Sequence, residues 1–351
     1  MRKKEKTVFV GMSGGVDSSV TAALLKKEGY RVVGVFIKVW HPDFLPCDWE
    51  KERIDAMRVC VRLDIPFLTL DVEKEYKRFV ADYMIEEYRK GRTPNPDVMC
   101  NKHVKFDAFL SFTRAKGADY IATGHYARIE RDGNNSRLLR GIDNDKDQSY
   151  FLWTLPQEVL HRVLFPIGKY KKAEVRALAR KFGLPTSEKK DSQGICFLGK
   201  VDLETFLTHF IHVRKGKVVT KDNTVVGEHK GVELYTIGER HGITLSEKGA
   251  LRSPYYVVEK DIKKNVLLVS HNPHDPAFGK ETVRLESVHW VFDRPVLGKA
   301  YHARFRHQGV LCPCTVEGSS VLFAEPQYGL ASGQSLVIYD DMVCVGGGII
   351  S

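Results

Sequence analysis

The stretch from Gly11 to Ser19, Gly-Met-Ser-Gly-Gly-Val-Asp-Ser-Ser, constrains this chain more than any other. It follows a short apolar run, Thr7–Met12, and precedes a helical pattern, Val20–Glu28. Strand, glycine turn, helix is the context in which a glycine-rich loop carries information. Gly14 and Gly15 reach backbone angles closed to other residues and let a ligand approach the main chain. The turn presents unpaired N–H groups at a helix N-terminus, where the dipole is positive. Ser13, Ser18 and Ser19 add hydroxyls. A phosphate chain suits such a cradle; an ordinary glycine-rich turn is the plain alternative. No lysine follows the glycines, so the loop is neither G-x-x-x-x-G-K-[ST] nor G-x-G-x-x-G.

Beyond the loop, strand and helix patterns alternate. Gly29 is placed to end the first helix, and Val32–Ile37 is a continuous apolar run, as in a strand buried on both faces. Helix Glu50–Leu63, strand Phe67–Val72 and helix Glu75–Arg89 come next. This order predicts an α/β fold with a parallel sheet and right-handed crossovers, binding ligands beyond the carboxyl ends of its strands. Ile37 stands at such an end, as a wall for a base ring or as ordinary core. The prolines of Gly91-Arg-Thr-Pro-Asn-Pro-Asp-Val-Met-Cys-Asn-Lys predict a stiff loop ending in Cys100, before a helix over Lys105–Lys116. A cysteine near a helix N-terminus, with Lys102, His103 and Lys105 close by, is expected to hold more thiolate; a buried structural cysteine is the alternative.

Asp119–His125 reads as a strand running into Gly124-His125, where a histidine is placed for substrate contact or for a structural role. Asp132–Ser136 is a polar turn, Asp143–Gln148 a charged loop, and Lys171–Phe182 a helix closed by Gly183 and Pro185. Asp191-Ser-Gln-Gly-Ile-Cys-Phe then puts Cys196 in a polar loop. Neither Cys100 nor Cys196 belongs to a CxxC pair. Two such cysteines in one nucleotide-binding domain suggest sulfur chemistry, unless they are unrelated thiols.

After about residue 205 the helical pattern fades. Gly216–Gly227 reads as a hairpin, and Tyr235–Gly242 and Tyr255–Glu259 continue a small β-rich module. Short strands recur from Val283 to Val345 with the spacing of a small barrel or sandwich. In Tyr301–His307 a period of two puts His302, Arg304 and Arg306 on one side, a cationic face for phosphates or a solvated one. Cys312, Cys314 and Cys344 read as barrel residues, and Cys312 and Cys314 lack the second ligand pair that zinc needs.

The 351 residues suit two or three domains, and the formal charge of +10 suits a polyanionic partner such as RNA. The seven cysteines are irregularly spaced, unlike a secreted disulfide framework. The basic start, Met1–Lys6, leads straight into the first strand, and no run reaches the length of a membrane span. A cytoplasmic protein without membrane contact is the expectation.

Ser13–Ser18 matches the pyrophosphate-binding loop of the PP-loop ATP pyrophosphatase superfamily. The whole chain resembles the bacterial-type tRNA-specific 2-thiouridylase family. That resemblance rests on Gly11–Ser18, Asn95–Asn101, Ala122–Ala127, Lys146–Leu152, Asp191–Phe197, Tyr235–Gly238 and Val343–Ile350, in this order. Arg304-Phe305 stands where an arginine–tyrosine pair is expected, a change that keeps ring and charge.

The resemblance implies three domains: 1–204, a Rossmann-like PP-loop catalytic domain; 205–275, a β-rich central tRNA-contacting domain; and 276–351, a C-terminal β-barrel. It implies ATP bound by Gly11, Met12, Ser13, Gly14, Gly15, Val16, Asp17 and Ser18 with Ile37 and Gly124, and Mg²⁺ from the ATP chemistry rather than from a ligand motif. Asn95, Pro96 and Asp97 are expected at the target base, with Asp97 also in acid–base or orienting work. His125, Lys146, Asp147, Gln148, Arg304, Phe305 and Gln334 are expected to touch tRNA. Cys196 is expected to carry a persulfide delivered by a sulfur-carrier protein or cysteine desulfurase. Cys100 is its partner nucleophile, and the pair ends as a disulfide. The implied reaction replaces the C2 oxygen of the wobble uridine with sulfur. An ATP pyrophosphatase acting on a small molecule would leave both cysteines and the basic β modules without work. A non-catalytic RNA-binding protein would leave the intact loop unexplained.

Overall fold

The computed structural model describes residues 6–45, 49–133, 135–190, 203–246 and 254–351. Strands β1 (Thr7–Gly11), β2 (Arg31–Lys38), β3 (Phe67–Asp71) and β4 (Tyr120–Ala122) come first. A hairpin comes next, β5 (Ala127–Asp132) with β6 (Asn135–Arg140), and then β7 (Val163–Leu164). β3-β2-β1-β4-β7 form one sheet whose pairings are all parallel. Alternate residues of its strands enter two cores. Val8, Val10 and Val32 pack with Val20, Leu24, Val175 and Ala179 on one face, while Phe9, Val33 and Ile121 pack with Tyr76, Met84, Val104 and Phe109 on the other. The helices Val16–Lys27, Trp49–Arg62 and Lys172–Lys181 agree with expectation to within a few residues.

The chain leaves β1 toward β2 and β3 and returns to place β4 on its other side. Strand order therefore reverses at β1, and in open parallel sheets ligands bind where it does. The loops after β1 and β4 meet there.

The stiff loop expected over 91–102 runs only to Asn95, and a helix begins at Pro96 rather than at Lys105. Pro96–Met99 is its first turn and wide π turns continue it over Cys100–Ala108, with regular helix again over Phe109–Arg114. Proline lacks the N–H that a first turn leaves unused, so Pro96 opens this helix rather than breaking one. Cys100 lies a turn inside it.

Helix Leu203–Phe210 leads into a second sheet. It comprises β8 (Gly216–Val219), β9 (Val225–His229), β10 (Thr244–Leu245), β11 (Tyr256–Asp261) and β12 (Val266–Ser270), in the order β10-β9-β8-β12-β11. The expected hairpin is β8–β9. The last strands are β13 (Lys280–Trp290), β14 (Tyr301–Arg304), β15 (Cys312–Glu317), β16 (Ser320–Gln327), β17 (Ser335–Asp340) and β18 (Val343–Ile350). They run β13-β16-β15-β14-β17-β18, and β18 pairs back onto β13, so the barrel closes. Cys312, Cys314 and Cys344 are buried in its strands.

The polar turn expected over Asp132–Ser136 falls where β5 and β6 pair, Asp132 opposite Asn135. That hairpin leaves the first domain's sheet and joins the barrel, pairing Leu138 and Leu139 with Cys344 and Val343. Among the described residues, no helix is long and apolar enough to cross a membrane.

Candidate active site

The loop after β1 is held by its own hydroxyls. Ser18 Oγ accepts from the Ser13 N–H at 3.2 Å and donates to the Gly15 carbonyl at 3.2 Å. Gly14 has φ +71°, and a Cβ there would lie 2.4 Å from the Glu52 carbonyl oxygen, so the turn admits only glycine. Gly15 caps helix Val16–Lys27 without a side-chain acceptor, so the first-turn N–H groups remain for a ligand. Met12 and Val16 are buried beneath the loop. Gly124, after β4, packs so closely that a Cβ would lie 2.8 Å from the Ser18 nitrogen. Ile37 Cδ1 stands 3.7 Å from the Cβ position of Gly11. Gly11, Ile37, Gly124 and Ser18 thus lie side by side at the loop after β1.

The loop also has partners that local sequence did not disclose. Lys172 Nζ reaches both carboxylate oxygens of Asp17, at 2.8 and 2.9 Å, and the Tyr126 hydroxyl donates to the same carboxylate at 2.8 Å. Lys189 Nζ donates to the Gly14 carbonyl at 3.0 Å and to Asp55 at 2.8 Å. Lys172 and Lys189 come from segments far from the loop in the chain, whereas Tyr126 stands within the Ala122–Ala127 motif and Lys189 just before Asp191–Phe197. Among the described residues no group of three or more His, Cys, Asp or Glu side chains could hold a metal ion. Asp17 and Asp55, the carboxylates bordering the loop, are each engaged by a lysine.

Asn95 caps the next helix, its Oδ1 accepting from the Val98 N–H at 3.3 Å. Asn95 and Asp97 are half-buried, whereas Pro96 and Cys100 are buried. Cys100 is 2 % exposed and packs with Val98, Val104 and Phe106. The accessible setting expected for this thiol is therefore corrected: Cys100 is buried, at the start of the π turns. Cys196 lies outside the described residues, as does the rest of Asp191–Phe197.

His125 is buried, its Nδ1 2.7 Å from Thr123 Oγ1 and its ring in a mutual cluster with those of Phe106 and Phe165. Burial, with Lys105 adding to it, holds its pKa well below the ordinary histidine value. Phe106 and Cys100 share the same run of π turns, so His125 links the nucleotide loop's neighbour Gly124 to the cysteine's helix.

The cationic face expected at Arg304 is corrected. Arg304 is 5 % exposed and pairs at 3.0 Å with Asp147, which is itself 1 % exposed. Strand β14 ends at Arg304, so the two-residue period does not carry through to Arg306. Arg306 instead bridges the carbonyls of Ile237 and Gly329, joining the two β domains. Lys146 is half-buried, and Gln148 Oε1 accepts from the Tyr126 N–H at 3.0 Å. Phe305 is half-buried, edge-on to Phe323. Gln334 Nε2 donates to the carbonyls of Thr93 and Pro94, at 3.0 and 3.3 Å, just before Asn95.

A parallel sheet with a glycine loop at its reversal point, succeeded by two β domains, defines a PP-loop nucleotide-binding protein with appended barrels. Residues 6–200 match the family model described as "tRNA methyl transferase HUP domain", 204–271 the "tRNA methyl transferase PRC-barrel domain", and 280–350 the "Aminomethyltransferase beta-barrel domain". The chain belongs to the tRNA-specific 2-thiouridylase family. It is 45% identical over 360 residues to the tRNA-specific 2-thiouridylase MnmA of Streptococcus thermophilus, covering 100% of this chain and 96% of that protein. The MnmA of Enterococcus faecalis is 43% identical over 362 residues, with 100% and 96% covered. That of Bacillus subtilis is 42% identical over 358 residues, with 99% and 96% covered.

Proposed function

We propose that this protein is a tRNA-uridine 2-sulfurtransferase that uses ATP to exchange the C2 oxygen of the wobble uridine, position 34, for sulfur. The observation that carries the reading is the glycine loop of a PP-loop domain, open at a helix N-terminus, within full-length similarity to proteins named for 2-thiolation. The family model's description speaks of methyl transfer and the relatives' names of thiolation. An ATP-splitting loop serves thiolation, because a pyrimidine carbonyl oxygen leaves only after activation.

The uridine C2 oxygen attacks the α-phosphorus of ATP, and the bond to the bridging oxygen breaks. Its electron pair departs with pyrophosphate, and the base loses its N3 proton. The terminal sulfur of a Cys196 persulfide then attacks C2 and AMP leaves. The Cys100 thiolate attacks the Sγ of Cys196, forming the Cys100–Cys196 disulfide and releasing 2-thiouridine, which regains its proton. A thiol reductant restores both cysteines. The persulfide sulfur comes from a sulfur-carrier protein or a cysteine desulfurase.

Gly11–Ser18, Ile37 and Gly124 hold ATP. Asp17 is the carboxylate that would hold Mg²⁺ together with the ATP phosphates, and the ion would supply positive charge to the phosphate oxygens. Asn95–Asp97 receives the target base, which must leave the anticodon stack. Lys146, Gln148, Phe305 and Gln334 face the tRNA once it is bound, while the buried His125, Asp147 and Arg304 hold these tRNA-facing segments in place. Residues 1–204 form the catalytic domain, while 205–275 and 276–351 dock the tRNA, all within the cytoplasm.

The test is nucleoside analysis of unmodified glutamate or lysine tRNA incubated with the protein, Mg-ATP and a persulfide source. A 2-thiouridine peak that requires ATP and is lost in Cys196→Ala and Cys100→Ala is expected. ATP splitting without that peak would overturn the function while leaving the fold class intact.

A further inference from the structure

We infer that Lys172 is a ligand of the departing pyrophosphate, handed over from Asp17 when ATP enters the loop; this rests on the reading of Gly11–Ser18 as an ATP-splitting site. Asp17 stands in the first turn of helix Val16–Lys27, at the N–H groups best placed for phosphate. Lys172 Nζ lies 2.8 and 2.9 Å from its two oxygens, so an ammonium is held at the mouth of the cradle. The side chain of Lys172 is 14% exposed and that of Asp17 33%, so the pair borders the crevice rather than the core.

Three features fit Lys172 for exchange. Its backbone is anchored, the Lys172 N–H donating to Asp143 at 2.8 Å, while the four-carbon stem above it rotates. Asp17 keeps a second donor, the Tyr126 hydroxyl at 2.8 Å, so the carboxylate is not left bare when the ammonium moves. Tyr126 is itself fixed, buried and hydrogen-bonded through its N–H to Gln148. Lys189 contrasts with this arrangement. It is tied to the Gly14 carbonyl and to Asp55, and so braces the loop from outside.

The chemistry calls for such a cation. As the α-phosphorus bonds to the uridine oxygen, the electron pair of the breaking bond moves onto pyrophosphate, and negative charge grows on the leaving group. A charge placed there beforehand acts on the transition state more than on bound ATP. Backbone N–H groups supply dipoles, and Lys172 supplies a full positive charge with rotatable donors.

The experiment uses the full chain with Mg-ATP and unmodified tRNA, comparing wild type with Lys172→Gln and Lys172→Arg. Lys172→Gln is expected to lower kcat for pyrophosphate release about 100-fold, with a smaller change in KM for ATP. Inhibition by inorganic pyrophosphate should weaken about tenfold, while inhibition by AMP, which lacks the departing phosphates, stays as in wild type. Lys172→Arg should recover part of both losses.

Unchanged kcat, or pyrophosphate and AMP inhibition weakening together, would show that Lys172 merely braces Asp17 and would overturn the inference. Where Lys172→Gln fails to fold, the pyrophosphate-to-AMP inhibition ratio of Lys172→Arg decides: a ratio shifted from wild type supports the inference and an unshifted one overturns it. Wild type that splits ATP without making 2-thiouridine overturns the proposed reaction alone, because the inhibition ratio still reads the role of Lys172. Wild type that does not split ATP overturns both.

Discussion

Asp147 is enclosed by donors. Its Oδ1 accepts the N–H groups of Gly141 and Ser149, each at 3.1 Å, and its Oδ2 meets Arg304 at 3.0 Å and Arg140 at 3.4 Å. Removing one partner of a buried pair leaves the other charge uncompensated, which costs about 3–5 kcal/mol. Arg140 and two N–H groups still face Asp147 without Arg304, so Arg304→Met should lower the unfolding free energy in urea titration by less than that amount, and adding Asp147→Asn should restore part of it. A double mutant no more stable than the single one would show that the pair does not act as a unit. His125 makes a different kind of prediction. Burial depresses its folded-state pKa, so between that value and about pH 6.5 the unfolded chain binds more protons than the native one. Stability is thus complete above about pH 6.5 and falls as the pH drops below it toward the folded-state pKa. His229, His289 and His307 are depressed chiefly by burial as well, and add in the same direction. His125→Asn should flatten the acid side of the stability profile, and an unaltered slope would rule out the assignment to this residue.

The helical residues 96–114 carry the sharpest consequence at the scale of an element. Asn95 starts this helix and the π turns begin at Cys100, whose thiol is buried. A thiol so placed cannot join a second cysteine unless their Cα atoms come within about 7 Å. We expect iodoacetamide to label Cys100 slowly in the free protein and faster once tRNA is bound, as followed by mass spectrometry of the peptides. Equal rates in the two states would remove the case for movement of this helix. The same element shows where sequence reading stops. Two prolines in three residues looked like a broken loop, but at a first turn the missing N–H is no loss, and the outcome depends on which residue caps. The glycine loop was legible because its geometry is local: a turn and a helix start lie within nine residues, Gly11 to Ser19. The contacts of Lys172 and Tyr126 with Asp17 were not, although Tyr126 lies in the Ala122–Ala127 motif, because they form through tertiary packing of segments far apart in the chain. The β5–β6 hairpin was half legible. Its polar turn could be read, whereas its pairing to β18 depends on a strand near the chain's end.

At the scale of the whole molecule, charge and interlock both matter. The formal charge of +10 implies that tRNA affinity falls about tenfold or more between about 50 and 200 mM salt, measurable by filter binding. Affinity indifferent to salt would remove phosphate contacts from the docking surface. The interlock is more particular to this fold. Tyr150 donates to the Ser335 carbonyl at 2.9 Å, Trp153 Nε1 to Ser335 Oγ at 3.2 Å, and Ser149 Oγ lies 3.1 Å from the Tyr339 hydroxyl. The Thr93 N–H donates to the Ser332 carbonyl at 2.8 Å, while Thr93 Oγ1 lies 3.2 Å from Thr236 Oγ1 of the central domain. The approach to Asn95 is therefore held by both β domains. The first domain's hairpin completes its hydrogen bonding only on β18. Tyr150 and Trp153 are buried, and aromatic residues of this kind each enclose roughly 150–250 Å² of surface. A chain ending at residue 275 keeps the whole parallel sheet yet loses these partners. It should bind a hydrophobic dye, show red-shifted Trp153 emission in a single-tryptophan background, and melt well below the full chain. A 1–275 fragment melting as cooperatively and as high as the full protein would show instead that the sheet domain stands alone and that the barrel merely rests against it.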